Sequence, residues 1–451
     1  LIGRSEEIQA IKQSFEAASN ERQLHAMLVC GEAGLGKRKL LADFDEYLGR
    51  LPELVLHAFV ESEPNDRHVP FGAAARLLRY RFAVGLHDSP ETARERIRAF
   101  VVHAFSRWQS IEVTAEMETR IDEVVDLIAR IPGIAGPGIQ APQTREETLR
   151  VFEAVTEVFV HISEAHPVVL AIHGAGHLDR LSRDLFEFMA LHLLDRPIFC
   201  LTMSRTPAIA LQTPNTMRLR PLDLEGVQHQ INILLKGRPS TELLDLIFRK
   251  AGGNPFQITE FVRFLHISGL LIRQRGRWSV DYDDPRAEEL DSMSVEDVTL
   301  AELRSLPPET ASVLKSAAVC GRAFWRGQVG SVYGHDAEDA LLVLVEHEVL
   351  AQQPFSRFAG ESEYAFRSHA MQSVLYRQLS DEDRRAGHRK AAAWLANVSE
   401  GGLPDKARMA RHLLAAGDEA EAEVCRRALS DQAALWEGVD GPGWYDWPRD
   451  T

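Results

Sequence analysis

The residues with the clearest chemical potential are Gly31, Gly34, Gly36 and Lys37, set in the run Gly31-Glu32-Ala33-Gly34-Leu35-Gly36-Lys37-Arg38. In a Gly-x-x-x-x-Gly-Lys spacing the glycines let the backbone turn its N–H groups inward around a phosphate chain. A helix beginning at the lysine adds the partial positive charge of its N-terminus, and the lysine reaches the terminal phosphates. Gly31, Gly34, Leu35, Gly36, Lys37 and Arg38 are therefore candidate phosphate-binding residues. The position after the lysine should carry Ser or Thr, whose hydroxyl binds Mg²⁺. Here it is Arg38. That side chain either replaces part of the missing positive charge or points to solvent on the first helical turn.

Such a loop works only between a strand and a helix. Met27-Leu28-Val29-Cys30 is apolar and strand-like, and the residues after Lys37 have helical spacing. Further strand candidates are 54–60, 168–172, 198–203 and 216–219. The continuous apolar runs among them are too short for helices and fit buried parallel strands. Helical patterns lie between them, broken at Ile131-Pro132-Gly133 and Gly136-Pro137-Gly138. The expected fold is α/β: a P-loop domain with a five-stranded parallel sheet over residues 1–221.

Beyond that point the pattern changes. Helical segments near 225–236, 239–251 and 255–267 lead into a hairpin with Gly276 at its turn, and the acid- and Ser-rich stretch 281–297 reads as an exposed linker. Residues 297–380 repeat helices followed by strands near 349–352 and 364–366, which predicts two winged-helix-like modules, 222–296 and 297–380. Residues 381–436 read as helical, the start of a repeat array, and 437–451 form a tail without period.

Composition narrows the function. The net charge of −15 disfavours a general nucleic-acid or anionic-membrane binder. Residues 300–380 hold seven Lys/Arg against nine Asp/Glu, and the segment 336–350, where a recognition helix would lie, has five acids and no Lys or Arg. No apolar run approaches the length of a membrane span. Cys30, Cys200, Cys320 and Cys425 have no paired spacing, and Cys30 and Cys200, in apolar strand-like runs, read as small buried hydrophobes in a reducing cytoplasm. The start at Leu1, already inside a structured pattern, reads as a piece of something longer.

The ordered set Gly3-Arg4 with Glu7, Gly31 to Lys37, Gly253-Asn254-Pro255-Phe256, Leu306-Pro307-Pro308 and Tyr364-Ala365-Phe366-Arg367-Ser368-His369 resembles the STAND-class signalling ATPases. The likeness is to the AAA-type modules of large LuxR-type transcriptional regulators and those beside bacterial adenylate cyclases. It covers about residues 1–430. It implies ATP or ADP as ligand, a C-terminal start of a TPR-like repeat that docks protein partners, and oligomerisation on activation. By the same resemblance Arg4 lies against the nucleotide, Arg205 senses it, Pro255 packs on its adenine or sugar, and His369 contacts the ADP phosphates.

The resemblance also marks departures. The strand 168–172 should end in acids that orient Mg²⁺ and the attacking water. The chain instead continues His173-Gly174-Ala175-Gly176-His177-Leu178-Asp179, so His173 and Gly174 hold the carboxylate positions. With Arg38, both protein contacts to magnesium are missing. His173 and His177 would make a zinc pair only on a helix, and the Gly-Ala-Gly between them reads as a loop. The expectation is a nucleotide-binding regulatory switch with weak or no ATP hydrolysis, with no catalytic and no metal-binding residue assigned. Two alternatives remain: an active ATPase that takes its metal ligand from a position such as Asp179, and a nucleotide-free interaction scaffold.

Overall fold

The structure, a computed structural model, describes residues 3–62, 69–85, 88–107, 110–135, 141–205, 215–274, 276–292, 306–347, 349–353, 356, 358, 360–367, 369–399, 403–425 and 427. Its first part is an α/β layer. The elements run α1 (Ser5–Glu21), β1 (His25–Cys30), α2 (Lys37–Leu48), β2 (Leu56–Glu61), α3 (Gly72–Arg81), α4 (Pro90–Phe105), α5 (Ala115–Ala129) and α6 (Arg145–Ala165). They continue with β3 (Val168–His173), α7 (Arg180–His192), β4 (Ile198–Ser204) and β5 (Asn215–Arg218).

The five strands pair in parallel in the order β2-β3-β4-β1-β5, as the apolar runs predicted. Successive side chains alternate between the two faces. Val168, Leu170 and Ile172 pack into the large core under α3 to α7, while Val169 and Ala171 face α1 and α2. Burial on both faces is why these strands read as unbroken hydrophobic runs. Phe15, Phe44 and Phe199 meet edge-on in the smaller core and fix α1 and α2 against the sheet. Because β4 is inserted between β3 and β1, the carboxyl ends of β1, β3 and β4 open onto one crevice, where ligands of such sheets bind. The break at 136–138 falls outside the described residues.

A second core follows, built from α8 (Leu224–Leu234), α9 (Thr241–Ala251), α10 (Pro255–Ile267) and the antiparallel hairpin β6 (Leu271–Gln274) and β7 (Arg277–Val280). The stretch after it is not simply an exposed linker. Residues Pro285–Asp291 form a 3₁₀ turn that buries Ala287 and Leu290 in this core, two apolar side chains the acid-rich composition hid.

The third core contains α11 (Pro308–Cys320), β8 (Ala323–Trp325), α12 (Arg326–Tyr333), α13 (Glu338–Glu346), β9 (Leu350–Gln352), β10 (Glu363–Phe366) and α14 (His369–Gln378). β8 was not anticipated. It is three residues long and pairs with β10, which makes a three-stranded antiparallel sheet rather than a hairpin. Helices α15 (Asp381–Val398) and α16 (Leu403–Ala416) follow, and residues 419–425 are again helical. Among the described residues no helix is long and apolar enough to cross a membrane.

Candidate functional site

The loop from Gly31 to Gly36 leaves β1 and enters α2. Gly34 and Gly36 take positive φ, at 84° and 94°, the conformation that favours glycine. Gly36 is the N-cap of α2 and offers no side chain to its first-turn N–H groups, and no acid lies in that turn. A Cβ on Gly36 would meet nothing within 4 Å, so space stands open over this helix terminus. Lys37 is 9% exposed and folds back on the loop, its Nζ donating to the carbonyls of Gly31 and Glu32, the latter at 2.8 Å. Burial first, then the Arg205 cation, push its pKa below the ordinary range. A buried ammonium beside a like charge and an uncapped helix N-terminus attract an anion, so the residues present fit a phosphate chain.

The other predicted residues fall in different places. Arg4 is buried and tied to backbone: its Nη2 donates to the carbonyls of Leu35 (3.3 Å) and Arg220, and its Nη1 to Glu7 (2.8 Å). It buckles the start of α1 to the phosphate loop and to the exit of β5. Arg205 is exposed just beyond β4, close enough for its charge to act on Lys37. Pro255 opens α10, and its carbonyl accepts from the side-chain amide of Gln230 at 2.7 Å. His369 begins α14, and its side chain lies outside the described residues.

Asn254 joins two parts of the fold, a role its place in the sequence did not suggest. Its Oδ1 caps α10, accepting from the N–H groups of Phe256 (3.1 Å) and Gln257 (3.4 Å), while its Nδ2 donates to the carbonyl of Ala33 at 2.9 Å. Phe256 N–H donates to the Gly34 carbonyl at 3.2 Å. A Cβ on Gly34 would stand 2.5 Å from Asn254 Oδ1, so only glycine allows this approach. The second core therefore rests directly on the phosphate loop.

The ends of β2 and β3 are occupied by charge. Arg38 Nη2 bonds both carboxylate oxygens of Glu61, the last residue of β2. His173, paired with Glu61 across the two strands, brings its Nδ1 to 3.4 Å from the same carboxylate. Burial works to raise the pKa of Glu61, but the hydrogen bonds and charge of His173 and Arg38 outweigh it and hold it at about 2. Arg38 thus lies exposed at the protein surface with its guanidinium on Glu61. Glu61 was missed, although an acid at the carboxyl end of a parallel strand borders the crevice.

Gly174 follows at φ 75°, and a Cβ there would stand 2.2 Å from the Ser62 carbonyl oxygen. A side chain of any kind is excluded at that point, so the second carboxylate position cannot be filled on this backbone. His177 ends a single 3₁₀ turn, Ala175–His177, as the Gly-Ala-Gly sequence implied. Asp179 is 2% exposed and caps α7: its Oδ1 accepts from Ser182 N–H and Phe71 N–H, each at 2.9 Å, and its Oδ2 from Ala73 N–H at 3.3 Å. Burial raises its pKa against those hydrogen bonds. It joins α7 to α3, its two oxygens taken up by backbone N–H groups. The donor set for magnesium does not fit: a guanidinium, an imidazole and a bare glycine stand where a hydroxyl and two carboxylates are needed.

Residues 1–201 match the family model of the AAA ATPase domain. No curated protein matches the chain in sequence. Among solved structures the chain is similar to a Signal Transduction ATPase with Numerous Domains (STAND) protein with a tetratricopeptide repeat sensor from Pyrococcus horikoshii. The TM-score is 0.45 at 11% identity, covering 96% of this chain and 52% of that one. The chain thus spans about half the length of that protein. It is also similar to the Aeropyrum pernix ORC1 protein, solved in complex with DNA, at a TM-score of 0.36 and 12% identity, covering 84% of this chain and 93% of that one. For Cdc6p from Pyrobaculum aerophilum the TM-score is 0.38 at 12% identity, covering 83% and 93%.

Proposed function

We propose that this chain, whose residues 1–201 match the AAA ATPase domain, is a STAND-type nucleotide-binding switch module of a larger signalling or transcriptional regulator, with little or no ATP hydrolysis. The observation that carries the reading is the junction at Ala33 and Gly34, where Asn254 and Phe256 of the following helical unit bond to the loop that holds Lys37. A phosphate chain entering over Gly36 meets the core and the unit that covers it at once, so ATP and ADP can bias how that unit sits. Weak hydrolysis follows from Gly174, which has no room for the carboxylate that would activate water.

In this reading residues 1–221 are the nucleotide-binding domain and 222–296 the lid. Residues 297–380 are a winged-helix domain used for folding and switching rather than for DNA: α13 carries Glu338, Asp339 and Glu346 and no Lys or Arg. Residues 381–436 begin a TPR-like array for protein partners and 437–451 form a tail, the whole working in the cytoplasm and assembling on activation. Arg4, Leu35, Arg205, Pro255 and His369 complete the nucleotide pocket with the loop residues. Titration of the purified chain with ATP and with ADP tests this. Both should bind, and Lys37→Ala should abolish both. Failure of both to bind a folded chain would leave the scaffold reading.

A further inference from the structure

The charged cluster at the mouth of the phosphate cradle has a use of its own if the nucleotide-binding reading holds, on which this inference rests. We infer that Arg38 is a tethered cation that takes the place of a divalent metal ion, and that Glu61 holds it in reserve until a phosphate chain arrives. Polyphosphates then bind this chain without magnesium.

Three observations support it. Arg38 follows Lys37 on the first turn of α2, beside the open space over Gly36, so its guanidinium is anchored within a side chain's length of the cradle. Its side chain is 59% exposed, and among the described residues its hydrogen bonds go to both carboxylate oxygens of Glu61. An exposed ion pair of this kind is weak, and a planar guanidinium matches phosphate oxygens as well as it matches a carboxylate. A triphosphate offers more charge than one carboxylate, so the guanidinium gains by exchanging partners.

The surroundings favour the exchange. When Arg38 leaves, the Glu61 carboxylate keeps His173 beside it, with Nδ1 3.4 Å from Oε1. A magnesium ion entering the same place would have to compete with a fixed guanidinium for the carboxylate that ends β2. Lys37, Arg205 and the α2 N-terminus already supply positive charge around the phosphates.

The test is ATP affinity of the full chain, measured by titration calorimetry in excess EDTA and in excess MgCl₂. The dissociation constants in the two conditions should agree within about threefold. In EDTA, Arg38→Ala should weaken binding about tenfold or more, while Glu61→Gln, which releases the guanidinium, should tighten it by about threefold or more. Both side chains are on the surface, and thermal melts check that the variants fold. Magnesium strengthening wild-type binding tenfold or more would overturn this inference alone, as would unchanged affinity in Arg38→Ala. No binding in either condition would overturn the nucleotide-binding reading with it.

Discussion

Lys37 and Arg38 are neighbours in sequence whose side chains have parted company. Lys37 turns inward, buried and destabilised as a cation by desolvation and by Arg205, and Arg38 turns outward onto Glu61. Lys37→Ala should abolish detectable ATP and ADP binding, a loss of about 100-fold or more and roughly 3 kcal/mol or more, the worth of a charge-assisted contact in a partly dry site, read by calorimetry. Glu61 makes a second prediction at this scale. Its carboxyl lies at about 2 when folded, against an ordinary 4.5, so its pairing stabilises the fold above pH 4.5. That contribution is lost as the pH falls from 4.5 towards 2. Urea unfolding of Glu61→Gln should show a shallower loss of stability over that window than the wild type. Gly174 makes the third. Gly174→Glu puts back an acid but must take a left-handed φ and meet the Ser62 carbonyl, so it should cost about 2 kcal/mol or more in urea unfolding and restore no phosphate release.

At the scale of elements, the strands were legible in the sequence because each central one is buried on both faces, and an apolar run too short for a helix fits a buried parallel strand. The three-residue β8 carried no such signal: its pairing with β10 is made by backbone, between distant parts of the chain, in the register Ala323↔Ala365 to Trp325↔Glu363. The phosphate loop was legible for the same local reason that it works, the glycine spacing. Glu61 and Asn254 were not recognised because their roles depend on approaches across the fold, from β2 to α2 and from α10 to the loop. The α10 junction predicts that Asn254→Ala loses a helix cap, about 1 kcal/mol, and also loosens the lid. Hydrogen exchange should then rise through α8 to α10 while the five-stranded sheet keeps its protection.

Among the described residues, both polar and apolar contacts join the separate cores. Arg263 of α10 donates to the His347 carbonyl at the end of α13, at 2.8 Å, which places a cation at that helix C-terminus and links the second core to the third. The third core meets the final helices through stacked Trp325 and Trp394 and through a buried chain from Tyr376 to His388 to His412, each step 2.8 Å. Burial and neighbouring arginines lower the pKa of His388 to about 4 and that of His412 well below its ordinary 6.5. Both are neutral in the fold and take up protons on unfolding, so their contribution is intact above pH 6.5 and is lost as the pH falls towards 4. Thermal melts over that range should show the loss, and His412→Leu should flatten it while lowering stability by about 1–3 kcal/mol through the His388 Nδ1 that loses its partner.

The switch proposed here is a nucleotide pocket without the chemistry that empties it. Calorimetric titration of the chain with ATP, followed by phosphate release from the same sample, tests both halves together. The account predicts saturable one-to-one binding that Lys37→Ala removes, with phosphate release no faster than the Lys37→Ala background. Lys37-dependent turnover, or a folded chain that binds neither ATP nor ADP, would contradict it.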